Sequence, residues 1–432
     1  MIRALSDPDP AVRRTVARLL GARGDPRAAG ALTACLSDPE PAVRARVAMS
    51  LGEIGRRETR VPLEHALEDA DPRVREAVAW AIGRIGDPRS ADALVHHLVD
   101  PAPGVRRTAA GGLGRMRTPA AATALRAALS DRSDRVRRAA VLALGGSEDP
   151  AISERLRPMF EDAARRVRVA TAIVMGLRRD RASVPILLDR ADGPDPGERP
   201  AALVALGRIG DLRAEGALVR AAEDRAHPIR VCAVHALGQM RAPRARETAL
   251  RHTSDPASAV RGAAAICLGE VGTPVDLSVL LGLLEDRHPW PRSAAIYAIG
   301  RLGLVEATPR VREELAHPVA DVRLAAIWAL GRLRDDASRA ELVRLLESDA
   351  GHSDPKDRIF DAVVQALGRL RRPEDDPFVD EALWGARSRL SDDELDRIAR
   401  LPLAEVARGA PSPTLRDLFD LALPDGPDVE VG

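Results

Sequence analysis

The sequence predicts an all-α protein: a solenoid of about twelve 31-residue repeats, each of two helices, closed by a C-terminal helical cap. Two periodicities and one fact of composition predict it. Glycine recurs at 21, 52, 83, 114, 145, 176, 207, 238, 269, 300 and 331 without a slip. Arginine keeps the same period, from Arg13 through Arg44 and Arg75 to Arg323. Such regular self-similarity marks a stack of identical supersecondary units. Aromatic residues make up 2% of the 432 residues and apolar residues 45%. The core is therefore built from Ala, Val, Leu and Ile, which suit close helix–helix packing.

Each repeat reads as two helices, A and B. Helix B begins after an Asp, with Asp7, Asp38, Asp69, Asp100, Asp131, Asp162, Asp224, Asp255 and Asp286 at one repeat position. Asp is a good N-cap, Pro often follows in the first turn, and the periodic glycine is expected to end the helix. Helix A starts at "GDPRAAGAL" or "GDPRSADAL", where Asp25 or Asp87 caps and Pro26 or Pro88 opens the turn. A twelfth unit carries six extra residues before its glycine, Gly368, in the region of "ESDAGHSDPKDR". Val12 with positions 16, 19 and 20, and their equivalents, fall on one arc of helix B and are the expected core. The periodic arginine lies beside that arc and is expected to bond the Asp of a neighbouring unit as a ladder.

Stretches such as "DPDPAVRRTVARLLGARGD" and "DPEPAVRARVAMSLGEIG" resemble the short HEAT-like repeat, the type also named after phycobilisome lyases. The resemblance covers residues 1 to about 372. It implies a right-handed, curved α-solenoid with helix A outside and helix B lining the concave side. It does not imply one activity, because such repeats serve as bilin lyases, iron-dependent hydroxylases, related DNA glycosylases and binding scaffolds. The hydroxylases use His-Glu dipeptides, and this sequence has none.

The expected organisation is a solenoid over 1–372, capping helices over 373–410, and an amphipathic segment with a disordered acidic tail over 411–432. Within the cap, Ser391 and Glu394 form a capping-box pattern. "TLRDLFDLAL" in the tail has the apolar and acidic character that the groove should prefer. The N-terminal end enters almost directly at helix B and looks uncapped, so it is a candidate for self-association.

Taking Val12 as zero, positions 11, 14, 18 and 22 of helix B fall on the arc away from the core. Position 18 is nevertheless mostly large and apolar, including Met49, Trp80, Leu142, Ile173, His235, Ile266, Tyr297 and Trp328, with Gly111 among them. Trp290 lies on the same face, and position 22 adds Arg84, Arg115, Arg208, Arg301, Arg332 and Arg369. Two readings stand. Curvature buries position 18 between adjacent B helices, or the position forms an open apolar floor for a partner. A range from Trp to Gly favours the second, as does the enrichment of Trp, Tyr and Arg at binding hot spots. The candidate partner-binding residues are Trp80, Arg84, Arg115, His235, Trp290, Tyr297, Arg301, Trp328, Arg332 and Arg369.

Charged residues reach 30% yet the net charge is +1, so no global field draws nucleic acid or a membrane surface. Three cysteines are too few and scattered for a disulfide framework or zinc site. The nine histidines show no ligand spacing, no phosphate-binding glycine loop is present, and no acid, base and nucleophile converge. The expectation is a cytoplasmic bacterial scaffold without catalytic residues, metal or cofactor, binding a protein partner in its groove. A bilin lyase or isomerase and an Arg/aromatic nucleic-acid binder are the alternatives.

Overall fold

A computed structural model describes residues 1–349 together with residues 362, 363, 366, 367 and 370. The expected capping helices, the capping box, the acidic tail and Arg369 lie outside the described residues. Described elements are α-helices and short 3-10 helices, two layers deep. They form two compact units, one over Met1–Asp180 and the other from Arg181. Each is an all-α solenoid segment in which successive B helices, such as Pro10–Arg23, Pro41–Ile54 and Pro72–Ile85, stack side by side.

Helix A is short and composite. In the first repeats it runs as a 3-10 turn, one and a half turns of α-helix, and a second 3-10 turn, as over Pro26–Ala28, Ala29–Ala34 and Cys35–Ser37. Asp25 and Asp87 cap it as expected, accepting the Arg27 and Arg89 backbone N–H groups at 3.0 Å. Buried histidines at one repeat position join neighbouring A helices. The His97 ring lies 2.8 Å from the Ala93 carbonyl oxygen and 3.0 Å from that of Leu67. His252 repeats the arrangement on Thr248 and Ala222.

The arginine ladder is present in both units. Arg13 Nε and Nη2 donate to the two Asp38 carboxylate oxygens at 2.6 and 2.9 Å, while Nη1 donates to the Asp7 carbonyl at 2.8 Å. Arg44–Asp69, Arg75–Asp100, Arg106–Asp131 and Arg137–Asp162 repeat that fork, as do Arg230–Asp255 and Arg261–Asp286. Where His317 replaces the ladder Asp, Arg292 pairs with Glu314 instead, at 2.6 Å. Each guanidinium thus ties its own loop to the next one through charge-assisted bonds.

Two expectations about helix B are corrected. The ladder Asp is not its N-cap: it sits two residues earlier and bonds the N–H two residues on, as Asp38 does with Glu40 at 2.9 Å. The cap follows it, with Asp9 and Asp71 accepting the Ala11 and Arg73 N–H groups at 2.8 Å. Nor does the periodic glycine end the helix, except in Asp134–Gly145. Helix B runs past it and stops at Gly24, Gly55, Gly86, Gly210 or Gly303, all left-handed, with φ between 61° and 72°. The periodic glycine instead lets B helices touch. A Cβ on Gly83 would lie 2.6 Å from the Gly112 Cα, and one on Gly207 2.7 Å from the Ala236 Cα.

Helix B also buries more than one arc. Over Ser258–Val271 every residue from Val260 to Gly269 is buried, and over Ala320–Leu333 every residue from Leu324 to Gly331. A helix flanked by two like neighbours and covered by the A layer has little circumference left for solvent. In the first unit the pattern is looser, with Val12 and Leu19 exposed at the N-terminal end.

Candidate functional site

In the second unit, the position-18 rings do not form an open floor. Tyr297 is 1% exposed and Trp328 6%, and Ile266 is buried as well. The Tyr297 and Trp328 rings stack on each other, centroids 4.8 Å apart and planes at 20°. The position-18 tryptophans, Trp80 and Trp328, tip onto the preceding B helix. Trp328 shows this directly, with its Cζ3 lying 2.7 Å from where a Gly300 Cβ would stand. Trp290, half-buried, fills the space above Gly262 in the same manner. These three rings are packing residues. Among the described residues, the Tyr297 hydroxyl and the Trp290 and Trp328 indole N–H groups find no hydrogen-bond partner.

What reaches solvent is the arginine one turn later. Arg332 is exposed and places its guanidinium 5.2 Å from the Trp328 ring centroid, with Nε donating to the Gly300 carbonyl at 3.3 Å. The first unit holds the equivalent pair: Arg84 lies 5.5 Å from the centroid of half-buried Trp80, whose ring leans over Gly52. Both are cation–π arrangements built by i, i+4 spacing on one helix.

The remaining predicted residues divide by charge pairing. Arg301 is not available, because Glu270 binds it at 2.8 Å. Arg115 is exposed and has no carboxylate partner among the described residues; its Nη1 lies 3.8 Å from where a Gly83 Cβ would stand. Partial burial, and then the Arg84 charge, hold the Arg115 guanidinium below the usual arginine range. Burial does the same to Arg208 in the second unit. His235 is half-buried. Within the first unit, then, the structure brings Trp80 and Arg84 together, while Arg115 lies over Gly83. Within the second it gathers Tyr297, Trp328 and Arg332, while Trp290 packs over Gly262.

Sequence reasoning missed the acids on the same face. Glu53 pairs with Arg46 at 2.5 Å and Glu76 with Arg107 at 2.9 Å. Glu53 stands at position 22, which was read only for its arginines, and Glu76 at position 14, so the repeat alignment itself held the signal. Among the described residues no cluster of three His, Cys, Asp or Glu side chains is placed to hold a metal ion. No helix among them is long and apolar enough to cross a membrane.

The family model for HEAT repeats matches residues 1–39, 30–111, 97–170, 217–300 and 282–353, more than half of the chain. The chain belongs to the HEAT-repeat family. Yeast importin-beta (Kap95p) superposes with a TM-score of 0.54 at 16% identity, over 94% of this chain and 66% of that one. The CpcE–CpcF complex of phycocyanin lyase from Nostoc sp. PCC7120 gives 0.34 at 23% identity, over 61% and 90%. Human deoxyhypusine hydroxylase gives 0.27 at 23%, over 56% and 94%. The likeness to importin-beta concerns the fold alone. No curated protein matches the chain in sequence.

Proposed function

We propose that this HEAT-repeat chain is a non-enzymatic scaffold that binds a segment of a partner protein across its B-helix face. The observation that carries the reading is the pair of exposed arginines stacked on tryptophan, Arg84 on Trp80 and Arg332 on Trp328. Neither arginine has a carboxylate partner among the described residues, in a chain whose ladder arginines are paired with care. An arginine held flat on an aromatic ring is pre-organised for a partner's polar groups at low entropic cost. Such residues are frequent anchors of protein interfaces.

The test is affinity capture from the native organism with wild type and with Arg84→Ala/Arg332→Ala. A protein retained by wild type and lost from the variant, at unchanged melting temperature, supports the proposal. Identical capture by both contradicts it.

A further inference from the structure

The outward positions of helix B are charged differently in the two units. In the six B helices over Met1–Asp180, positions 11, 14, 18 and 22 hold nine arginines against two acids, Glu53 and Glu76. The same positions in the next five repeats hold three arginines against two acids. The whole chain carries a net charge of +1, so this one face departs from a balanced molecule.

The two acids do not answer the excess, because each is already bonded: Glu53 to Arg46 at 2.5 Å and Glu76 to Arg107 at 2.9 Å. The second pair spans position 14 of neighbouring helices, Pro72–Ile85 and Pro103–Met116, and so sets those outward positions side by side. Arg84, Arg115 and Arg135 remain exposed, without a carboxylate partner among the described residues. Position 18 lies one turn from positions 14 and 22. In this unit it carries half-buried Met49, Trp80 and Leu142.

We infer that the B-helix face of the first unit docks an acidic segment of the partner protein. The segment's aliphatic side chains lie on the position-18 row and its carboxylates among the arginines on either side. This rests on the protein-binding reading above and gives it a place and a partner chemistry. Charge complementarity selects the occupant. A basic segment would meet an uncompensated positive field, and a neutral one would leave the arginines unanswered. A nucleic acid stacks its bases on aromatic platforms, and this row offers one ring among aliphatic side chains.

A displayed library of short random peptides, panned against the full chain, tests the inference. Enriched peptides should be acidic with interspersed aliphatic residues, and their affinity should fall as salt rises. The Arg84→Gln/Arg135→Gln variant should bind them about tenfold more weakly at an unchanged melting temperature. Arg225→Gln/Arg287→Gln removes the same charge from exposed loops of the second unit and should bind as wild type does. Replacing the acids of an enriched peptide by amides should weaken its binding to wild type at least as much as the first variant does. Enriched peptides without acidic character, or equal weakening by the two variants, would overturn the acidic docking face and leave the protein-binding reading standing. No enrichment at all would overturn both. Tighter binding of a single-stranded oligonucleotide than of any enriched peptide would overturn the inference in favour of nucleic acid.

Discussion

Tyr297 and Trp328, thirty-one residues apart and therefore at one repeat position, stack face to face at 4.8 Å. That contact places the largest side chains of the second unit between adjacent B helices. It leaves Arg332, rather than the rings, exposed.

Trp328→Ala is therefore a stability mutation. It removes a buried indole, uncovers Tyr297 and leaves Arg332 without its platform, at a cost of roughly 3–5 kcal/mol. Repeats couple mainly to their neighbours, so the loss should appear first as faster hydrogen exchange in Pro289–Leu302 and Ala320–Leu333. Unchanged protection there would return the ring to the surface.

Arg117 and Arg334 end their B helices in the left-handed conformation, at φ 50° and 54°, where equivalent repeats use Gly86 and Gly303. A side chain strains that conformation and glycine does not. Arg117→Gly should stabilise the protein by about 1 kcal/mol, read as a higher urea midpoint. The same change at Arg115, inside the helix, should not.

Acid should dismantle the solenoid over a narrow range. Hydrogen bonds from Arg13, Arg44 and Arg137 hold Asp38, Asp69 and Asp162 below the usual carboxylate range. Asp71, Asp87 and Asp211 lie at about 2, each held first by the arginine two residues on. Depressed values of this kind contribute stability above the unfolded carboxylate pKa and lose it as pH falls through the folded value. Helicity should stay level from neutral pH to about 5 and fall between roughly pH 4 and 2. A decline centred near pH 6 would mean that other groups govern stability.

The repeat, its two helices, the arginine ladder and the Asp25 and Asp87 caps were legible in the sequence, because each rests on local spacing or on one repeated pair. Position 18 was not. A helical wheel for one helix places Tyr297 and Trp328 outward, but it carries no information about flanking helices toward which side chains lean. Their surroundings "SAAIYAI" and "LAAIWAL" are apolar on every side, a sign of a helix buried all round. Glycine misled for a related reason. Periodic Gly83 and capping Gly86 look alike in sequence, yet one serves close approach and the other positive φ. The candidate arginines were not sorted, since setting Arg301 aside needed Glu270 as its partner.

That sorting is the central claim: one set of arginines holds the repeats together, and Arg84, Arg115 and Arg332, without a carboxylate partner among the described residues, do not. Thermal melting of Arg106→Met beside Arg115→Met tests it most directly. Arg106 is 3% exposed and forked onto Asp131, so its loss strands a carboxylate and should cost roughly 3 kcal/mol, visible as a lower melting temperature. Arg115→Met should melt at or above wild type. A drop for Arg115→Met as large as that for Arg106→Met would place Arg115 in the scaffold and contradict the account.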